Sequence, residues 1–162
     1  MAELLTVDQL LVSEVEPKRE FRWLIIIKGI EAYTAQTTER PSGEFEETEF
    51  HFINQVRYLS GKYKPKMMPL TLMDPVAPSA AQAVQNWVRL NYEVTTGRMG
   101  YQDFYKTTFN LKLLDPPGGV AEQWTIKGAW VKAPSYGKLD YASNDMVKIE
   151  LQLRYDTATL DF

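Results

Sequence analysis

Cysteine is absent from this 162-residue chain, and histidine occurs once, at His51. The first absence excludes disulfide frameworks, zinc–thiolate sites and thiol nucleophiles. The second makes any Ser-His or multi-histidine metal arrangement depend on a single residue. Long apolar runs are missing too. The longest, Trp23–Ile27, has five residues, against about 20 for a membrane-spanning helix. The first residues, Met-Ala-Glu-Leu-Leu, carry no basic n-region, so no targeting segment is read and synthesis in a host cytoplasm is expected. Excess positive charge is also lacking. The formal net charge is −3, without the basic footprint of tight, sequence-specific nucleic-acid binding.

Catalytic motifs are equally scarce. Gly61-Lys62 falls short of a P-loop, because the glycine required five positions earlier is replaced by Val56. Gly97-Arg-Met-Gly100 lacks the strand-then-helix context of a dinucleotide loop, and neither a G-x-S-x-G elbow nor an EF-hand loop occurs. Glu44, Glu46, Glu47 and Glu49 cluster beside Pro41-Ser42-Gly43. That setting suits a solvated loop able to dock on a basic neighbour rather than a dry pair of catalytic carboxylates. His51, between two phenylalanines in an extended segment, reads as structural or interfacial. Trp124 and Trp130, and Met67-Met68, read as packing. Lys62, Lys64 and Lys66, interleaved with Tyr63, read as a solvated turn or protein contact rather than a single-strand nucleic-acid stripe. No catalytic, cofactor-binding or metal-binding residue is expected, and no enzymatic activity.

What is present is the composition of one globular domain: 44% apolar, 24% charged and 12% aromatic residues. Phe21–Ile30 reads as a strand covered on both faces, and Glu31–Thr38, with β-branched and aromatic residues, as continuing the sheet. Thr37–Glu49 reads as a long hairpin loop with its turn at Arg40-Pro-Ser-Gly43, and a second turn is read at Ser60-Gly61-Lys62. Lys66–Met73 reads as a strand placed at an edge or bulge by Pro69. One helix is predicted over 79–92, with Ser79 as N-cap, Gln82 completing a capping box, and Val84, Trp87, Val88 and Tyr92 as its buried stripe. Three alternating strands follow. Phe104–Leu114 places Tyr105, Thr107, Phe109, Leu111 and Leu113 on one face. Glu122–Val131 places Trp124, Ile126, Gly128 and Trp130 together. Met146–Tyr155 places Val147, Ile149, Leu151, Leu153 and Tyr155 together.

The ordered set Trp124-Thr-Ile-Lys-Gly-Ala-Trp130, Gly137-Lys-Leu-Asp-Tyr141, Ser143-Asn-Asp145 and Val147–Tyr155 resembles the C-terminal part of the tail tube proteins of T4-like contractile phages. The resemblance covers about 122–156. A looser likeness runs through Met67–Met73, Asp74 and the helix bearing Trp87. The resemblance implies a mainly β (α+β) fold, an antiparallel β-sandwich or half-barrel with one central α-helix. It implies one tail-tube domain over 1–162, with an N-terminal arm at 1–20. Copies would assemble into hexameric rings stacked as the inner tail tube of a virion. The implied partners are the chain itself, a tail sheath, a baseplate, a tape-measure protein in the lumen, and genomic DNA passing without specific binding. Inter-ring contact is expected at Glu39, Arg40, Glu44, Glu46 and Glu47, and ring closure through edge strands carrying Phe109, Leu111, Ile149, Leu151 and Leu153. The lumen-facing set is left open between Lys106/Thr108/Asn110/Lys112, Lys148/Glu150/Gln152/Arg154 and neither. The alternatives are a baseplate, tube-initiator or tail-terminator paralogue, the tube of a related injection system, and, in another class, a small-molecule-binding β-barrel.

Overall fold

The computed structural model describes residues 15–162, so residues 1–14 of the expected N-terminal arm lie outside the described residues. Nine strands form. Seven make one antiparallel sheet and two make a separate ribbon. The strands are β1 (Trp23–Ile26), β2 (Ala35–Thr38), β3 (Gly43–Phe52), β4 (Gln55–Pro65), β5 (Met68–Met73), β6 (Thr107–Leu114), β7 (Val120–Ser135), β8 (Lys148–Arg154) and β9 (Thr157–Leu160). The main sheet runs β1-β6-β7-β8-β5-β2, with β9 also paired to β7, and β3 pairs with β4. Every ladder is antiparallel. The fold is therefore mainly β, with a helix α1 (Ala80–Asn91) and one further helical turn, α2 (Gln102–Tyr105).

The core lies on one face of this sheet. Period-2 alternation puts Phe109 and Leu111 from β6 beside Ile149, Leu151 and Leu153 from β8, with Leu70 and Leu72 from β5. The β8 side chains are fully buried, and Val84 of α1 completes the layer. Helix α1 starts where Pro75 and Pro78 end. The Ser79 hydroxyl accepts the Gln82 N–H, at 3.4 Å. Asp74 supplies a second cap: its Oδ1 accepts the Ala80 and Ala81 N–H groups at 3.0 and 3.3 Å. At the other end, Trp87 Nε1 donates to the Tyr105 carbonyl at 2.7 Å and ties α1 to α2.

Several expected elements take a different form. The strand over Phe21–Ile30 shortens to β1, because Gly29 turns the chain at φ +86°. Only alternate residues are covered: Ile25 is buried and Ile26 is exposed. The Ala35–Thr38 part of the expected Glu31–Thr38 segment does continue the sheet, as β2. After a 3₁₀ turn at Ala32–Thr34, β2 pairs with β5, so consecutive strands end up at opposite ends of the sheet path. The sheet curls as a half-barrel: its two end strands, joined by residues 27–34, meet where Trp23 of β1 and Gln36 of β2 line the same grooves. Residues 102–105 are helical, so β6 starts at Thr107.

The Trp124/Ile126/Gly128/Trp130 face does not exist. Gly128 adopts φ +69° at a bulge, where Thr107 pairs with Ala129 but Phe109 pairs with Ile126. The extra residue flips the phase, so Ala129 and Val131 enter the core while Trp130 meets Tyr105 edge-on at 6.1 Å. A Cβ at Gly128 would collide with the Asp156 carboxylate, which accepts Lys106 Nζ at 2.9 and 3.1 Å.

Leu151 stands at the centre of the sheet. Leu151→Ala is expected to cost about 2–5 kcal/mol through lost burial and the cavity left behind. Urea unfolding measures this, and an unchanged midpoint would contradict the core described.

Candidate assembly surfaces

The ribbon β3–β4 is the part of the molecule that its own body does not account for. Every residue from Glu44 to Lys64 is exposed, including Phe45, Phe50, Phe52, Val56, Tyr58, Leu59 and Tyr63. A lone two-stranded hairpin is marginally stable in water, so such a ribbon needs either internal pairing or a partner. Some pairing is internal. The Phe45 and Tyr63 rings meet at 5.1 Å, and Glu46 and Glu44 pair with Lys64 and Lys66. The turn expected at Ser60-Gly61-Lys62 is a bulge within β4, where Gly61 lets the strand approach the Glu46 carbonyl.

The tip lies at Ile53-Asn54, between Phe52 and Gln55. Ile53 has φ +52° and is 86% exposed. A β-branched side chain in the left-handed region carries strain of order 1–3 kcal/mol. Glycine or asparagine would suit the turn better. The residue present is both strained and wastefully apolar for water. Directly opposite residues share a face of a ladder. The pairs Thr48–Leu59, Phe50–Arg57 and Phe52–Gln55 therefore place Phe50, Phe52 and Leu59 together, with Arg57 beside them.

The root of the ribbon is clamped. Tyr155 donates its hydroxyl to the Ser42 carbonyl at 3.0 Å, and Arg154 Nη1 donates to the Pro65 carbonyl at 3.3 Å. Lys66 N–H closes the base on Ser42 O at 2.9 Å. Burial pushes the Tyr155 phenol pKa up against the lowering effect of that hydrogen bond. A second clamp centres on Glu122 of β7, only 5% exposed. Its carboxylate accepts Trp124 Nε1 at 2.5 Å, pairs with Lys18, and lies 3.6 Å from Arg40. Burial raises the Glu122 pKa, but hydrogen bonds from Lys18 and Trp124 and the charges of Lys18 and Arg40 outweigh it, so the net shift is downward. Segments on either side of β1 and β2 are thereby tied to one carboxylate.

The main sheet presents unpaired edges at β1, β2 and β9. Each is a template for another strand. Open grooves of about 490, 550 and 480 Å³ line the surface. A small-molecule barrel would need an enclosed apolar cavity, whereas the interior here is filled by the fully buried side chains of β5, β6 and β8. No group of three or more histidine, aspartate or glutamate side chains could hold a metal among the described residues. No helix among them is long and apolar enough to cross a membrane.

The chain shares its fold with proteins of contractile injection systems. A chain in the anti-feeding prophage cap, the AFP tube terminating cap, matches with a TM-score of 0.74 at 14% identity, over 97% of this chain and 99% of that one. A chain in the sheath/tube terminator of PVC, an extracellular contractile injection system, matches with 0.75 at 13% identity, over 93% and 100%. A chain in the PVC sheath–tube complex matches with 0.61 at 15% identity, over 98% and 99%. No protein-family model matches the sequence, and no curated protein sequence matches it either.

Within this fold, the residues singled out from sequence divide into two groups. Phe109, Leu111, Ile149, Leu151 and Leu153 are not on edge strands. β6 lies between β1 and β7, β8 lies between β7 and β5, and all five side chains are core. Alternation showed which face they occupy, but strand order is a non-local property. A proline at Leu151 would break the interior of the sheet rather than an intersubunit joint. The charged set sits at the near end of the hairpin, which spans Gly43–Pro65 rather than 37–49. Arg40-Pro-Ser-Gly43 is its root corner, not its tip. Glu39 and Arg40 precede the ribbon, and Glu44, Glu46 and Glu47 lie on β3 toward its base. The tip residues went unread because isoleucine is a poor turn signal.

Glu122 gives a pH prediction. Its folded-state pKa is lowered, so its contribution is complete above the ordinary carboxylate value of about 4.3 and is lost as pH falls through the lowered folded value. Glu122→Gln is expected to cost about 1–3 kcal/mol at neutral pH, as a buried hydrogen-bonded charge is lost. It should also flatten the acid limb of stability. Urea unfolding across that range, on variant and wild type, measures both; parallel acid limbs would remove Glu122 from this role.

Proposed function

We propose that the chain is a structural subunit of a contractile injection machine, built to close into rings and stack into its inner tube, and that it performs no catalysis. The observation that carries this reading is the ribbon tip. A strained, exposed isoleucine and neighbouring phenylalanines crown a ribbon that the subunit's own core leaves uncovered. Such a tip is explained by burial against another copy. The fold shared with chains of cap, terminator and sheath–tube structures supports the same role.

Ring closure then falls to the free edges of β1, β2 and β9 rather than to β6 and β8, since pairing between copies removes unsatisfied edges. Six copies per ring, a surrounding sheath, a baseplate at one end, a tape-measure protein in the lumen and DNA passing without specific grip complete the proposal. The resemblance to T4-like tail tubes supports these finer features, as does the net charge of −3, which spares DNA a retarding basic wall. The particle is then a virion tail or a tail-like relative.

A second reading, a cap or terminator ring at the tube end, is favoured by the higher structural likeness to chains of the cap and terminator structures than to one of the sheath–tube complex. Polymer length separates the two. Negative-stain microscopy of the concentrated protein, with and without crowding agent, should show hollow tubes of constant width for a tube subunit and single rings for a terminator. A chain that stays monomeric under all these conditions would sink both.

Ile53→Gly makes the sharper test. Glycine relieves the backbone at φ +52°, so thermal stability is expected to hold or rise. Burial of the isoleucine contributes about 1.5–3 kcal/mol, so polymer at equal concentration should fall at least about tenfold. Undiminished assembly of this variant would show that the tip is not a contact.

A further inference from the structure

We propose that the ribbon tip of one copy seats in the groove between α1, α2 and the Lys28-Gly29 turn of a second copy. This rests on the reading of the tip as an assembly contact and adds where it lands.

The groove has a volume of about 480 Å³. Its apolar part is Trp87 and Leu90 from α1 and Phe104 from α2. Leu90 is half exposed and Phe104 more so, and Met99 and Tyr101 extend the apolar surface beside them. The Trp87 Nε1 bond to the Tyr105 carbonyl fixes the helices relative to each other, so the groove is preformed. Gly29 leaves its wall open, with nothing within 4 Å of where a Cβ would stand. The tip face carrying Phe50, Phe52 and Leu59 has the complementary character. Aromatic side chains bury about 150–250 Å² each, which makes them suited to such a groove.

Charge selects the occupant. Asp103 lines the groove, and Arg57 shares the tip face with Phe50. Among the described residues neither forms an ion pair. One charge of opposite sign beside an apolar centre on each surface, Arg57 on the tip and Asp103 on the groove, matches a second copy of this chain better than an indifferent apolar ligand. A tip and a groove on the same subunit, used by different neighbours, form a heterologous contact that propagates instead of closing a pair.

Two experiments test this on the full chain. Arg57→Asp and Asp103→Arg each place like charges together, and each should raise the concentration needed for assembly at least about tenfold. The double variant restores the pair with reversed polarity and should recover assembly. The lack of native cysteine permits a second, independent reading. Phe52→Cys and Leu90→Cys combined in one chain should give ladders of disulfide-linked multimers on mild oxidation, whereas Phe52→Cys alone stops at dimers. Tubes or rings that form without the Phe52–Leu90 cross-link, or that tolerate both single charge reversals, would overturn the groove while leaving the tip contact standing. Failure of the wild-type chain to assemble at all would overturn both.

Discussion

Strand β8 is the constraint on which the rest of the molecule hangs. It is hydrogen-bonded on both sides, to β5 and β7, and Ile149, Leu151 and Leu153 are fully withdrawn from water. The two residues that follow them, Arg154 and Tyr155, hold both sides of the ribbon root. Completion of the core and aiming of the ribbon are therefore one event. The chain cannot bury β8 without fixing where β3 and β4 leave the body.

The parts legible in the sequence are those governed by local physics. The alternation of β6 and β8 and the Ser79 cap of α1 depend on residues a few positions apart, and these features appear as read. The parts that were not legible depend on distant neighbours or on single backbone angles. Gly128 looked like one more position of an alternating face, but its φ of +69° shifts the phase for Ala129 and Val131. Strand order, which puts β2 beside β5 at the far end of the sheet from β1, was not read at all. The strand β9 hides in Thr-Ala-Thr-Leu, too short to show a pattern. The acidic cluster pointed to the ribbon, and its residues Glu44, Glu46 and Glu47 lie toward the base of that ribbon. The strongest turn signal, Arg40-Pro-Ser-Gly43, marks a corner, while the real tip carries an isoleucine against all turn preference. The groove could not be read at all, since Trp87, Leu90 and Phe104 come together only when α2 folds back on α1.

Glu122 illustrates how one buried polar group can organise a β protein. A buried carboxylate with a lowered pKa would draw attention as chemistry in an enzyme. Here its partners are two cations and an indole from structural segments. The arrangement fixes Lys18 and Arg40 to β7, and the low pKa means that the fixing persists through the neutral range.

The ribbon has a consequence for the timing of growth. In a free chain it buries almost nothing, so holding it straight yields little free energy, and docking on another copy would have to supply the cost of ordering it. On the proposed contact, the first pair of copies would order one ribbon for one tip-in-groove contact, whereas a copy arriving between neighbours would make two, one with its tip and one with its groove. Starting a polymer would then be slower than extending one. Free chains would persist below a threshold concentration and polymerise above it, and a starting surface would lower that threshold.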